Sequence, residues 1–192
     1  MRPWLRAQVA SFQALAGLRI VDWRGSELAL DDGPDGYSPV WRHPNADAMQ
    51  FSALQLLTAE GVITVTTAQN DDVFGLYRPD SEIWPTIIEH NARFAAKWNQ
   101  PIDPSAEVDP RSIYRNTLVP TLPVGAIGDA TVTLSEQGTE IEEVVLGISG
   151  RRIALRAAEF RLEHDGKYST SPLDESVLVQ IDRRHPERLR AA

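Results

Sequence analysis

The sequence predicts an α+β fold, a predominantly antiparallel β-sheet with an N-terminal helix and one mid-chain helix. Apolar and β-branched residues alternate along most of the chain, between short turns rich in Gly, Asn and Asp. Two segments instead carry apolar residues at helical spacing. The composition, 42% hydrophobic and 24% charged over 192 residues, is that of an ordinary globular chain that can bury a core.

The N-terminal segment is predicted to be a helix. Its apolar residues fall at spacings of four, three and four, on one helical stripe: Leu5, Val9, Phe12 and Ala16. Pro3 suits the first turn, and Gly17 is a natural stop at the C-terminus. Two strands are then expected, at residues 18–23 and 27–30, around a turn at residues 24–26.

The middle of the chain is predicted to be β-structure followed by the second helix. A loop rich in Gly, Pro and Asp comes first, at residues 31–45. Three strands follow it, at residues 49–58, 62–68 and 73–77. Ser81 is the expected N-cap of the helix, with Pro85 in its first turn. Apolar residues then keep helical spacing as far as Trp98.

The C-terminal half is predicted to be almost entirely β-strand. Residues 118–127 contain Pro120 and Pro123 and therefore belong at a sheet edge. Four more strands follow, at residues 130–135, 141–148, 152–162 and 177–181. Residues 149–150 predict a tight hairpin. In the longest strand the apolar residues change face, which predicts a β-bulge at residues 157–158.

Residues 1–182 are interpreted as a single α+β domain. The alternative is two β-rich lobes, residues 1–98 and 111–182, joined by the Pro-rich segment 99–110. Residues 183–192 hold four arginines and one glutamate. They are expected to form a basic, flexible tail.

Several kinds of site are excluded or disfavoured by the residues present. The chain has no cysteine, which excludes disulfides, thiolate nucleophiles and zinc sites built on Cys. It has no phosphate-binding glycine loop, and its four histidines are not paired on a helical turn. Residues 31–36 match a calcium loop only in part, since Gly33 stands at the third position and Arg42 at the twelfth. We therefore expect no metal and no cofactor.

A cytoplasmic location is predicted. The apolar runs are short and interrupted by charge, so no membrane span is expected. Near the N-terminus, polar residues interrupt any apolar stretch that could serve as a secretory signal. The absence of cysteine fits a reducing compartment.

Negative charge and tryptophan occur in the same part of the chain. Residues 25–110 hold fourteen acidic and four basic side chains in a protein of formal charge −8, and all five tryptophans lie within the first 98 residues. Aromatic residues supply much of the energy of interfaces, and opposite charge speeds encounter. The sequence thus favours an acidic soluble binding protein that masks a basic protein partner, as inhibitors and immunity-type proteins do, rather than an enzyme. The net negative charge disfavours nucleic acid as a partner.

The candidate binding residues lie in the loop at residues 31–45. A bulky aromatic residue in a loop either pins the loop to the core or contacts a ligand, and Trp41 is such a residue. Its neighbours include an aromatic, a cation, a histidine and a group of carboxylates. The candidate set is Tyr37, Trp41, Arg42, His43, Asp31, Asp32 and Asp35.

A hydrolase-type enzyme or a small-molecule-binding protein is the alternative. Its site would use a histidine beside carboxylates, either His43 in the same loop or His164 in the C-terminal half. The acidic residues around His164 are Glu159, Glu163, Asp165, Asp174 and Glu175. Ion pairing on the sheet surface with Arg156 and Arg161 explains that second group without catalysis. A homo-oligomer that pairs sheet edges is the third hypothesis.

Overall fold

The structure, a computed structural model, describes residues 1–30, 39–42, 48–70, 72–98, 114–163 and 168–181. Within these residues the chain forms two helices and nine strands, which confirms the predicted α+β fold. The helices are α1 (Pro3–Gln13) and α2 (Trp84–Trp98). The strands are β1 (Arg19–Leu28), β2 (Ala48–Thr58), β3 (Val62–Asn70), β4 (Val73–Tyr77), β5 (Tyr114–Leu118), β6 (Gly125–Leu134), β7 (Ile141–Ile148), β8 (Arg151–Leu162) and β9 (Tyr168–Ile181).

These nine strands form one antiparallel sheet that closes on itself. Its order is β4-β3-β2-β9-β8-β7-β6-β1-β5, and β1 also pairs with β2. The strands β1, β2, β9, β8, β7 and β6 therefore make a closed ring. Two branches leave the ring: β3 and β4 continue from β2 beyond its pairing with β9, and β5 continues from β1 beyond its pairing with β6.

The main hydrophobic core joins all six strands of the ring with α1. Phe51 and Leu146 are fully buried in it, and burying a side chain of this kind stabilises the fold by about 1.5–3 kcal/mol. A smaller cluster forms separately, from Leu30, Ala48, Ala158, Phe160 and Leu178.

Helix α1 packs through Leu5 and Phe12, as predicted, but it ends before Ala16, which is exposed. The remaining buried position is a polar residue, Gln8. Its Nε2 donates to the carbonyl oxygen of Arg78 at 3.1 Å, and its Oε1 accepts from the Arg78 N–H at 2.9 Å. Because both ends of the amide are paired, the helix can bury this residue without the cost of an unsatisfied polar group.

In the C-terminal half the predicted hairpin turn is confirmed, and the predicted bulge is confirmed in its position along β8 but not in the strand that carries the extra residues. Ser149 and Gly150 have φ of 51° and 77°, the positive values that a two-residue hairpin turn requires. The register of β8 with β9 breaks between Ala157 and Ala158, where the bulge was predicted. The extra residues belong to the partner strand, since residues 173–176 of β9 leave the ladder.

The predicted turn at residues 24–26 is wrong, because β1 runs without interruption through it. Gly25 serves a close approach instead. A Cβ at this position would lie 2.4 Å from Cδ1 and Cε1 of the Phe51 ring, so only glycine lets that ring pack against β1. The glycine that suggested a turn is thus a packing residue.

Other predicted boundaries also move. Ser81 is not the N-cap, since α2 begins at Trp84. The Trp84 N–H donates a hydrogen bond to Oε1 of Glu82 at 2.8 Å. Residues 118–127 are not one strand: β5 ends at Leu118 and β6 begins at Gly125, with both prolines between them. The predicted strand at residues 177–181 is the end of the much longer β9.

Candidate functional site

The paired strands β1 and β5 place two groups of side chains on opposite faces of the sheet. Glu27 lies opposite Arg115, and Leu28 lies opposite Tyr114. Since successive side chains of a strand point to opposite faces, the first pair shares one face and the second pair the other. Glu27 shares the face of Trp23 and Gly25, the face on which the core packs.

The core-facing group is an ion cluster, which we call the Glu27 cluster: Glu27, Trp41, Arg42 and Arg115. The Glu27 side chain is 0% exposed, whereas those of Arg42 and Arg115 are 45% and 43% exposed. Nε of Arg115 donates to Oε2 of Glu27 at 2.7 Å. Nη1 of Arg42 lies against Oε1 as an ion pair, although Oε1 accepts no hydrogen bond from the described residues. The Arg115 guanidinium also lies 4.3 Å from the centre of the Trp41 ring.

The charges of this cluster influence one another. Burial lowers the pKa of Arg42, and the nearby positive charge of Arg115 lowers it further. Burial also lowers the pKa of Arg115. A buried carboxylate is costly unless it is paired, and Glu27 is paired with two cations. The cluster therefore neutralises a charge that β1 carries into the edge of the core.

The outward-facing group lines a cavity of about 340 Å³ between α2 and the sheet, which we call the α2 cleft. Three of the side chains that line it can ionise: His90, Tyr114 and Glu175. The others are amide, hydroxyl and apolar. The full lining is Leu28, Ser52, Thr86, Ile87, His90, Asn91, Tyr114, Glu175 and Ser176.

Two sets of contacts fix α2 over the sheet. At its start, the Arg24 guanidinium lies 4.9 Å from the centre of the Trp84 ring. Further along, Asn91 is buried and its Nδ2 donates to Oγ of Ser26 in β1 at 2.5 Å. Ile87 precedes Asn91 by four residues and so shares its side of the helix. One face of α2 thus forms a wall of the cleft.

Another part of the lining comes from Glu175 and Ser176, two of the four residues by which β9 leaves its ladder. Leu173 has a φ of 56°, which costs a side-chain-bearing residue about 1–2 kcal/mol. The backbone of Glu175 is held on both sides: its N–H donates to Oδ1 of Asp174 at 2.9 Å, and its carbonyl oxygen accepts from the hydroxyl of Thr67. The strand therefore departs from regular geometry at the place where it presents Glu175 and Ser176 to the cleft.

Tyr114 is the residue of the cleft whose electrostatics are most clearly perturbed. Burial raises the pKa of its phenol, and the carboxylates of Glu175 and then Glu159 raise it further. At neutral pH the phenol is therefore protonated and can donate a hydrogen bond. The carboxylate of Glu175, which lines the cleft, makes the surroundings of the phenol electronegative.

The structure brings together two of the predicted binding residues, Trp41 and Arg42, and joins them to Glu27 and Arg115. The other predicted binding residues lie outside the described residues: Tyr37, His43, Asp31, Asp32 and Asp35. His164 and Asp165 of the alternative site also lie outside them. From the acidic group around His164, Glu175 lines the α2 cleft.

Sequence reasoning missed His90, Asn91 and Tyr114. A signal for Asn91 was present, because this polar residue follows Ile87 on the face of an amphipathic helix that ought to be buried. His90, an exposed residue of the same helix, carried no such signal. Tyr114 carried no comparable signal, since it lies outside every strand that the sequence predicted.

The tryptophans divide between core and surface. Trp23 and Trp84 are buried, while Trp4 is exposed. The predicted basic protein partner therefore has fewer indoles available than the sequence suggested, and that partner stays a prediction.

Among the described residues, no group of three or more His, Cys, Asp or Glu could hold a metal ion. No helix in the described part of the chain is long and apolar enough to cross a membrane.

Comparisons with protein family models, with curated proteins and with solved structures found no match to this chain.

Proposed function

We propose that the protein binds a small organic molecule in the α2 cleft. The observation that carries this proposal is the convergence of polar side chains from one helix and three strands on a cavity of about 340 Å³. Small-molecule sites are typically cavities of about 300–1,000 Å³ with apolar walls and a few placed polar groups. The cleft combines both kinds of surface, since Leu28 and Ile87 lie beside the hydroxyl, amide and carboxylate groups.

The residues that form the cleft support a binding site rather than an incidental packing gap between helix and sheet. Asn91 and Ser176 are buried polar residues at its base. Glu175 is presented by an irregular segment that includes a left-handed leucine. Strained backbone and interrupted strands concentrate at ligand sites, where the surrounding structure holds them in place.

A cavity-filling variant tests the proposal. Thr86 lies on the exposed side of α2 and lines the cleft, so Thr86→Trp should occupy the cleft without disturbing the core. Saturation-transfer NMR with hexylamine, 1-hexanol, hexanoate and inositol at millimolar concentration should detect binding of at least one probe to the unmodified protein. That signal should disappear in Thr86→Trp.

Ala92→Trp is the matched control, because Ala92 is an exposed residue of the same helix that does not line the cleft. Binding should persist in this variant. The proposal is contradicted if no probe binds the unmodified protein, or if both tryptophan variants retain the same signals.

A further inference from the structure

We infer that the ligand of the α2 cleft is a small organic amine, bound as its ammonium ion with a short apolar chain against the helix. The inference rests on the proposed function and adds the chemical class of the ligand. It follows from how charge, hydrogen-bond acceptors and apolar surface are distributed around the cleft.

The described residues that line the cleft include one carboxylate, Glu175, and neither lysine nor arginine; His90 is the one described lining side chain that can carry a positive charge. Arg115 is close in sequence to Tyr114 but lies on the other face of β5, where Glu27 and Trp41 hold its guanidinium. A carboxylate in a cavity whose described lining has no lysine or arginine favours a positively charged ligand group.

Tyr114 strengthens this preference. It lines the cleft together with Glu175, whose carboxylate acts on its phenol electrostatically. An anionic ligand would meet repulsion from Glu175, and a cation would meet attraction. The face of the Tyr114 ring is also partly negative, which suits an ammonium group.

The neutral polar groups suit a donor-rich head group. The hydroxyls of Ser52 and Ser176 line the cleft beside Glu175. Hydroxyl and carboxylate oxygens are acceptors, and a primary ammonium carries three N–H donors. Charge-assisted bonds of this kind are stronger than neutral ones, so a primary amine fits better than an alcohol of the same length.

The apolar part of the ligand has its own surface. Leu28 of β1 and Ile87 of α2 are partly buried and line the same cavity. A short alkyl chain that covers them gains the transfer free energy of its methylene groups. The cleft therefore has a polar surface for the ammonium group and a separate apolar surface for the alkyl chain.

Three probes with one chain and different head groups test the inference: hexylamine, 1-hexanol and hexanoate. Each is titrated into the full chain at pH 7.5 and followed by amide NMR shifts, with the side-chain amide of Asn91 as a local reporter. We expect hexylamine to bind about fivefold or more tightly than 1-hexanol, and hexanoate to bind most weakly. Glu175→Gln should remove the preference for the amine over the alcohol.

Glu60→Gln is the matched control, since Glu60 is an exposed carboxylate in the turn between β2 and β3. It should keep the full preference. Equal binding of the amine and the alcohol, lost in Thr86→Trp, would overturn the ligand class and leave the cleft as a binding site. An amine preference that survives in Glu175→Gln or in Thr86→Trp would also overturn the inference, because it would reflect general attraction to an acidic protein. Failure of all three probes to bind would remove the proposed function as well.

Discussion

The Glu27 cluster and the α2 cleft lie on opposite faces of the same pair of strands, and they differ in whether their charged groups are paired within the protein. On the core-facing side, the carboxylate of Glu27 is fully buried, paired with two arginines and accompanied by an indole. On the outer side, Glu175 and Tyr114 line an open cavity. One ladder of hydrogen bonds thus separates charge that is neutralised within the protein from charge that is available to a ligand.

The two sites should therefore contribute differently to stability and to binding. Removing one partner from the buried ion cluster leaves the remaining charge without compensation. Removing a polar group from an open cavity costs less, because water can solvate the groups that remain. Substitutions in the Glu27 cluster should therefore change the free energy of unfolding. Substitutions in the α2 cleft should change ligand affinity.

The largest effect is expected from Glu27→Ala. The substitution leaves Arg42 and Arg115 close together without their shared carboxylate. Because both arginines are nearly half exposed, we expect the free energy of unfolding to fall by about 3 kcal/mol, the low end of the range for a buried pair. Urea denaturation measures this. The control is Glu89→Ala, which removes an exposed pair with Arg93 on α2 and should cost only about 0.3–0.5 kcal/mol. Equal losses in the two variants would show that the buried cluster is not a special source of stability.

A smaller loss is expected from Gly25→Ala, which tests how tightly the core-facing side is packed. The added Cβ would lie 2.4 Å from two atoms of the Phe51 ring, and forced repacking of this kind costs about 1–3 kcal/mol. Gly128→Ala in β6 is the matched control, since its Cβ would meet nothing closer than 3.8 Å. If both variants unfold at the same urea concentration, then Phe51 does not pack against Gly25 as described.

The smallest effect concerns pH and belongs to the outer side. The folded protein raises the pKa of Tyr114 above its ordinary value of 10.0, so the folded state holds the phenolic proton to higher pH than the unfolded state. By linkage, stability should fall as the pH rises from about 10 through the folded pKa. In Tyr114→Phe the decline over this alkaline range should be shallower, as measured by urea denaturation at a series of pH values. Identical slopes would mean that Tyr114 is not in the electronegative environment that we describe.

Much of the fold could be predicted from local patterns. The strand β4, the strand β7 and the hairpin turn at Ser149 agree with the sequence because alternation and turn residues are local signals. The register break beside Ala157 was predicted at the right position but in the wrong strand. The apolar residues of β8 change face there because Ala157 packs in the main core and Ala158 in the smaller cluster, without an extra residue in β8. Gly25 was misinterpreted because a glycine that admits the ring of Phe51 has the same local signature as a glycine in a turn.

The candidate site could be predicted only in fragments. Trp41 and Arg42 were singled out as neighbours in the chain, but their partners Glu27 and Arg115 come from two other segments. The α2 cleft joins β1, β2, α2, β5 and β9, which meet because the sheet closes on itself. No local pattern records that closure, so the cleft was not visible in the sequence.

A crystal structure of the protein soaked with hexylamine would test the ligand assignment most directly. The amine nitrogen should lie within hydrogen-bonding distance of the Glu175 carboxylate, with the alkyl chain against Leu28 and Ile87. Density for the amine only on other acidic surfaces, with the α2 cleft filled by protein side chains, would contradict it.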